Sequence, residues 1–217
     1  MTHLSKTYSA SPEMQQLPEA LDLVHAIASR MCHDLISPLG AIANGMELLA
    51  MTRGDGSEVD LVTESVATAH ARIRLFRAAL GTAQPGQMMA PSEIVSLLKD
   101  HAASARYHTD FAISDNLPRQ DVRLILLVLM CLDSALPWGG TVQIRPCAQG
   151  YQIEAEAERH RMEPEAWCWL TGQGVNSGIT PATVHFPLLA LALQRQEWRL
   201  QMTHTAQSLS IRLEQPR

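Results

Sequence analysis

Apolar residues recur at alternating steps of three and four early in the chain, which is the spacing of one face of an α-helix. Such steps, sustained over many turns, are typical of helices that pack side by side. An extra step of four falls beside Pro38, where the missing amide donor predicts a local kink or unwinding. The pattern predicts one long helix over residues 17–51, with a seam of Leu17, Leu21, Val24, Ala28, Met31, Leu35, Leu39, Ile42, Met46 and Leu49.

A second run of the same spacing follows the helix-breaking residues 54–56. Ser57 and Asp60 form a Ser-x-x-Asp capping box, and Gly81 ends the run. So short a turn requires the two helices to be antiparallel. Each seam needs more cover than one neighbour provides, so we expect a homodimer in which two hairpins form a four-helix bundle. The alternative is that the C-terminal half of the same chain covers the seams.

The stretch 82–87 is rich in residues that break regular structure and predicts a domain boundary. Beyond it the patterns predict helices over 91–105, 119–136, 163–170 and 183–196, and strands over 111–113, 141–147, 151–158, 198–205 and 209–214. This order favours an α/β sandwich with helices on one face of a mixed sheet. We therefore divide the chain into a flexible lead-in over 1–15, a helical hairpin over 16–83 and the sandwich over 88–217.

Composition excludes several classes of protein. A net charge of −5 provides no basic surface for nucleic acid. No apolar run reaches the roughly 20 residues that cross a bilayer, and residues 1–16 lack an apolar signal core, so we expect a cytoplasmic location and no membrane association. The cysteines are far apart and the histidines lack metal-ligand spacing, so we expect reduced thiols and no metal site.

His33 lies nearly opposite the seam at 100° per residue, so its imidazole should point to solvent. The residues that share this outward stripe are mostly small or polar, namely Ala26, Ser29, Arg30, Ser37, Gly40, Asn44 and Glu47. An imidazole surrounded by such residues is accessible to a macromolecular partner. The usual alternative is a surface histidine without a function.

The sequence around this histidine has the form His-Asp-x-x-Ser-Pro-Leu, given by His33, Asp34, Ser37, Pro38 and Leu39. It resembles the phospho-acceptor box of two-component histidine kinases, whose dimerisation domain is a helical hairpin. The longer stretch over 32–49 looks like the ChpT-type histidine phosphotransferases, which share the kinase architecture and do not bind ATP. The resemblance implies a hairpin that carries a phosphoryl group on His33. Many kinases have an arginine three residues after the histidine, where this chain has Ile36.

The C-terminal half resembles the ATP-binding domain of histidine kinases in the order of its elements, and departs from it at the nucleotide motifs. Ser134 stands where the family has an asparagine that holds magnesium, and a hydroxyl is a poor replacement. The segment 156–162 lacks the glycines of the family's Asp-x-Gly-x-Gly motif. Gly172, Gly174 and Gly178 form only a weak glycine-rich signal without a lysine. We therefore expect a degenerate domain that has lost nucleotide binding, and no cofactor bound by this chain.

The chemistry of imidazole suits transfer between proteins, because a neutral ring has one nucleophilic nitrogen while the other holds the proton. We expect a receiver domain to supply both its phospho-aspartate and Mg²⁺, and His33 to pass the group to a second receiver. Asp34 is adjacent, and neighbours on a helix do not face each other. Asp34 either favours the proton on the far nitrogen of the His33 ring or makes the local electric field negative. The resemblance implies that Asp34 acts as a base. The hydroxyl of Ser37 hydrogen-bonds to the His33 ring, to the phosphoryl group or to a backbone carbonyl in the turn before Pro38.

A partner should dock on the helix flank beyond the histidine, which is formed by Ile36, Gly40, Ala43, Asn44 and Glu47. The resemblance implies the receiver domain of a hybrid histidine kinase and downstream response regulators as partners. The predicted function is thus a histidine phosphotransferase of a phosphorelay. The alternatives are a cytoplasmic histidine kinase and a non-catalytic dimeric adaptor for response regulators.

Overall fold

A computed structural model describes residues 6–9, 20–51, 57–102, 105–171 and 178–215 of the 217-residue chain. Its helices are α1 (Ala20–Met51), α2 (Ser57–Ala79), α3 (Pro91–Ala102), α4 (Arg119–Ala135), α5 (Pro164–Thr171) and α6 (His185–Arg195). Its strands are β1 (Lys6–Ser9), β2 (Met88–Met89), β3 (Tyr107–Phe111), β4 (Leu117–Pro118), β5 (Gly140–Cys147), β6 (Gly150–Glu156), β7 (Arg199–His204) and β8 (Ser208–Glu214).

The first two helices form an antiparallel hairpin. Asp34 near the middle of α1 lies beside Arg72 of α2, whereas Gly45 further along α1 lies beside Val62. A Cβ at Gly45 would lie 2.6 Å from a methyl carbon of Val62, so the missing side chain lets the helices approach closely. The α1 helix continues through Pro38, so the unwinding that the proline suggested is absent.

Six of the described strands form one sheet in the order β1-β7-β8-β6-β5-β3, in which the edge strand β1 comes from the N-terminus and the others from the C-terminal part. Only the β3–β5 pair is parallel among its neighbours, so the sheet is mixed, as predicted. Alternate residues of the central strands are buried, which leaves one face for the helices. Ile153 of β6, for example, pairs with Ile211 of β8, and neither is exposed.

The core lies between this sheet and its helices, with α4 at the centre. Every residue of α4 from Leu124 to Leu132 is buried, which is typical of a helix with neighbours on all sides. The C-terminal turn of α2 joins the same core through Phe76 and Ala79, and Arg123 of α4 donates to the Ala79 carbonyl at 3.1 Å. Partly buried apolar side chains of α1 also pack against this core. The hairpin therefore has a fixed place on the sandwich.

Within the described residues, the predicted helices are all present. The short strand lies over Tyr107–Phe111 rather than 111–113, because Tyr107 is buried and its hydroxyl donates to the Leu129 carbonyl at 3.0 Å. The prediction of an irregular lead-in is wrong for Lys6–Ser9, which pair with β7. The predicted turn over 54–56 lies outside the described residues.

Candidate functional site

The imidazole of His33 stands on the open surface of the hairpin. It is in the middle of α1, on the side that faces away from α2, and its side chain is 85% exposed. Cys32, which precedes it, and Ser37, one helical turn further on, are also exposed. The ring is therefore accessible to another protein, as the helical spacing predicted.

The side chain of Asp34 is only 10% exposed, in contrast to its neighbour in sequence. Its Oδ1 atom lies 3.2 Å from Nδ1 of His33. Its other oxygen, Oδ2, accepts a hydrogen bond of 2.8 Å from Nε of Arg30, and Nη1 of Arg72 is 3.6 Å away. One carboxylate thus joins the exposed imidazole to two arginines, one on each helix of the hairpin.

This arrangement assigns different roles to the two ring nitrogens of His33. When Nδ1 carries the proton, it donates to Asp34, and Nε2 keeps its lone pair. Nε2 has no hydrogen-bond partner among the residues that the structure describes. We expected the consecutive side chains of His33 and Asp34 not to contact each other, and this is wrong. The carboxylate of Asp34 lies in the groove between the helices, with one oxygen beside the imidazole.

Arg30 is turned inward. The sequence placed Arg30 and Ala26 on the outward stripe, and this is wrong for both, since Ala26 is buried and Arg30 reaches Asp34. Arg30 also donates from Nη1 to the carbonyl of Ala182 at 3.3 Å, in the turn before α6. The spacing of four residues between Arg30 and Asp34 was the signal in the sequence for this pair. No local signal indicated Arg72, which is brought in by the packing of α2.

The residues predicted to dock a partner all lie on the surface around His33. Ile36 is 68% exposed, and a Cβ built on Gly40 would meet nothing within 4 Å. Ala43, Asn44 and Glu47 are exposed as well. At 100° per residue these side chains project within about 80° of His33 around the helix axis. Ser37 lies on the same face, and its hydroxyl bonds no other side chain or carbonyl in the described part of the chain.

The sandwich contains a buried histidine that interacts electrostatically with Arg30 and Asp34 of the hairpin. His185 begins α6 and is 1% exposed, and its Nε2 lies 3.5 Å from the hydroxyl of Ser134. Burial, together with the positive charge of Arg30, lowers the pKa of His185 to about 3, although Asp133 and Asp34 act in the opposite direction. The sandwich therefore presents an uncharged ring close to Arg30 at neutral pH.

Much of the predicted seam is uncovered in the single chain. Leu21, Val24, Leu39 and Met46 of α1 are each more than half exposed, and Val59, Val66 and Ile73 of α2 are also exposed. The C-terminal half therefore does not cover these residues, and the alternative in which it does is wrong for them. Such an apolar strip is characteristic of a surface that binds another protein.

Potential metal ligands do not form a cluster anywhere in the described ranges.

The fold and the site together define a histidine-bearing helical hairpin joined to an α/β sandwich. Residues 91–208, more than half of the chain, match the family model of the histidine phosphotransferase C-terminal domain, and the chain belongs to this family. This confirms the resemblance to the ChpT-type phosphotransferases. Among the described residues, no helix is both long enough and apolar enough to span a membrane.

Two relatives show how far the similarity extends. Protein phosphotransferase ChpT of Brucella abortus (strain 2308) is 33% identical over 128 residues, which are 58% of this chain and 61% of that protein. The chain thus matches about three fifths of the length of this curated relative. The 1.7 Å structure of a bacterial phosphotransferase superposes with a TM-score of 0.78 and 25% identity, over 93% of this chain and 100% of that one.

Proposed function

We propose that this protein is a cytoplasmic histidine phosphotransferase of a two-component phosphorelay. It takes a phosphoryl group from the aspartate of one receiver domain onto His33 and passes it to the aspartate of another. The observation that carries the proposal is the pairing of an 85% exposed imidazole with a carboxylate that holds its Nδ1 atom. The family of the chain supports the same reaction class.

The transfer needs little covalent chemistry from this chain. The lone pair on Nε2 of His33 attacks the phosphorus of the acyl phosphate, a P–N bond forms, and the P–O bond to the receiver aspartate breaks to release its carboxylate. The proton on Nδ1 stays between the ring and Asp34, which neutralises the positive charge that develops on the imidazole. Transfer to the second receiver reverses these steps.

The receiver, in this proposal, supplies the Mg²⁺ that neutralises the phosphoryl oxygens, and this chain binds no cofactor. The partners are the receiver domain of a hybrid histidine kinase and downstream response regulators. They dock on the exposed flank of α1 that contains Ile36 and Gly40. Because the complex must dissociate after each transfer, we expect a small interface and modest affinity.

The chain acts as a homodimer in this proposal. The support is the exposed apolar strip of α1 and α2, whose regular spacing matches the seam of a four-helix bundle. A second hairpin related by a twofold axis would cover both strips at once. His33 projects from a different side of α1, so pairing of the hairpins leaves it accessible.

ATP is not the phosphoryl donor in this proposal. Ser134, at the position of the magnesium-binding asparagine by resemblance, faces the buried ring of His185. Gly178 is exposed, and Gly172 and Gly174 lie outside the described residues. A micromolar affinity for ATP and Mg²⁺ in a calorimetric titration would instead support the histidine kinase alternative.

Labelling by a phosphorylated receiver tests the function directly. The wild-type protein should acquire an acid-labile, alkali-stable label, and His33→Gln should acquire none while its free energy of unfolding changes by less than about 0.5 kcal/mol. His70→Gln, which removes an exposed histidine from α2, is the matched control and should be labelled normally. Equal labelling of the His33→Gln protein would exclude the proposal, and binding of the receiver without any label would support the adaptor alternative.

A further inference from the structure

We propose that Arg30 is a positioning residue for the transfer, and that it fixes the imidazole of His33 by holding the carboxylate of Asp34. The inference rests on the proposed function, because it names a residue that prepares His33 for that reaction. Arg30 precedes Asp34 by one helical turn, and its Nε–H donates to Oδ2 at 2.8 Å. The Arg30 side chain is 23% exposed, so water competes only weakly for this hydrogen bond.

The sandwich holds the guanidinium of Arg30 from a second direction. Its Nη1 donates to the carbonyl of Ala182 at 3.3 Å. The turn that carries Ala182 is itself closed by a hydrogen bond of 3.1 Å from the Thr183 amide to the Thr180 carbonyl. A planar guanidinium bonded at two of its nitrogens has little freedom to rotate. The C-terminal domain thus sets the orientation of a side chain in the hairpin.

The two oxygens of Asp34 are divided between different partners. Arg30 and Arg72 form ion pairs with Oδ2, whereas Oδ1 lies beside Nδ1 of His33. Without Arg30 the carboxylate keeps only the 3.6 Å contact with Arg72, which is too long for a hydrogen bond. It can then rotate away from the ring, and Nδ1 loses the acceptor that keeps the proton there. The tautomer with the proton on Nε2 would then become more populated, and this tautomer has no lone pair at the position that attacks phosphorus.

The tautomer of His33 and the rate of transfer are the two measurements that test this role. Nitrogen-15 NMR of histidine-labelled protein, with His33→Gln used to assign the signal, gives the protonated nitrogen without any partner. Arg30→Ala should lower the population protonated at Nδ1 and slow single-turnover transfer by roughly tenfold to a hundredfold. Arg30→Lys keeps the charge without the planar fork, so it should recover only part of the rate.

A matched control separates this role from a general connection between the domains. Arg74 of α2 also bridges to the sandwich, through a hydrogen bond of 3.0 Å to Ser96 and an ion pair of 3.0 Å with Asp100, but it does not contact Asp34. Arg74→Ala should leave both the tautomer and the rate unchanged. If Arg30 acts through Asp34, the double variant Arg30→Ala, Asp34→Asn should be no slower than Asp34→Asn alone.

Three results would overturn the inference: an unchanged tautomer and rate in Arg30→Ala, an equal loss in Arg74→Ala, or additive losses in the double variant. Failure of the proposed function gives a different result, since wild-type protein would then take no label from a phosphorylated receiver. The NMR measurement needs no transfer, so it tests the positioning by Arg30 in either case.

Discussion

Oδ1 of Asp34 lies 3.2 Å from Nδ1 of His33, although the two residues are consecutive on one helix. The contact arises because the carboxylate of Asp34 is drawn into the groove between α1 and α2, where it meets two arginines, while the imidazole stays in solvent. The imidazole of His33 is thus held at Nδ1 by the protein and exposed to solvent at Nε2. A nucleophile that must accept a group from a second protein needs this combination of order and access.

The first prediction concerns the charge of Asp34. In Asp34→Asn the amide keeps the shape of the side chain and loses the charge that stabilises a proton on Nδ1 of His33. We expect single-turnover transfer from a phosphorylated receiver to slow by roughly a hundredfold. Stability should fall by about 1–2 kcal/mol, because Arg30 and Arg72 lose their anionic partner. A transfer rate equal to that of the wild type would show that the carboxylate charge has no part in the reaction.

The second prediction separates docking from folding at Gly40. A side chain there enters open space, so Gly40→Leu should keep or raise the free energy of unfolding, since glycine inside a helix costs about 1 kcal/mol. The new side chain would occupy the docking surface, and we expect receiver affinity to fall about tenfold or more in a calorimetric titration. Wild-type affinity in Gly40→Leu would place the docking surface elsewhere.

The matched control for this experiment is Gly45, which lies on the same helix and faces α2. A Cβ there would be 2.6 Å from Val62, so Gly45→Ala must displace that side chain. We expect a loss of about 1–3 kcal/mol in chemical denaturation, with receiver affinity unchanged in the folded protein. The opposite responses of two glycines five residues apart would confirm which faces of α1 are packed and which are open.

The helices and the exposed position of His33, the proposed acceptor, follow from local patterns in the sequence. Steps of three and four locate α1 and place His33 opposite the seam, and both require only the geometry of a single helix. The sequence does not indicate β1, because Lys6–Ser9 is a short edge strand whose partner, β7, lies nearly 200 residues further along the chain. The two-residue strands β2 and β4 likewise have no periodic signal.

The partners of Asp34 illustrate the same limit within the site. Arg30 is one helical turn away and could be inferred from its spacing, whereas Arg72 depends on how α2 is packed along α1. The carbonyl of Ala182 depends on where the sandwich sits against the hairpin. The proposed phosphoryl acceptor, His33, can therefore be recognised from the pattern of one helix. The groups that hold its carboxylate partner come from three separate segments, namely α1, α2 and the turn before α6.

The third prediction tests the proposed dimer with two substitutions on α1. Met46 is 54% exposed on the apolar strip, and Met46→Asp should remove roughly 1.5–3 kcal/mol of burial in each subunit and add a charge to the interface. We expect a monomer in multi-angle light scattering. Leu39→Asp, which alters a 57% exposed residue of the same strip, should also give a monomer. Ile36→Asp is the control, because it alters an even more exposed apolar residue on the docking flank, and it should remain dimeric while losing receiver binding.

The last prediction is a loss of stability in acid that originates at His185. Burial, with a contribution from Arg30, lowers the pKa of this ring from 6.5 to about 3 in the folded protein. Between these values the unfolded chain binds a proton that the folded chain does not. Stability from the uncharged ring is therefore complete above about pH 6.5 and is lost as the pH falls toward 3, by up to about 1.4 kcal/mol per pH unit.

Urea denaturation of the wild type and of His185→Gln, at several values between pH 7 and pH 4, measures this slope. The variant should be less stable at pH 7, since the site is buried, but its stability should fall less steeply in acid by roughly 1 kcal/mol per pH unit. Parallel curves for His185→Gln and the wild type would mean that His185 accepts its proton without unfolding, and so that the ring beside Arg30 becomes charged in the native protein.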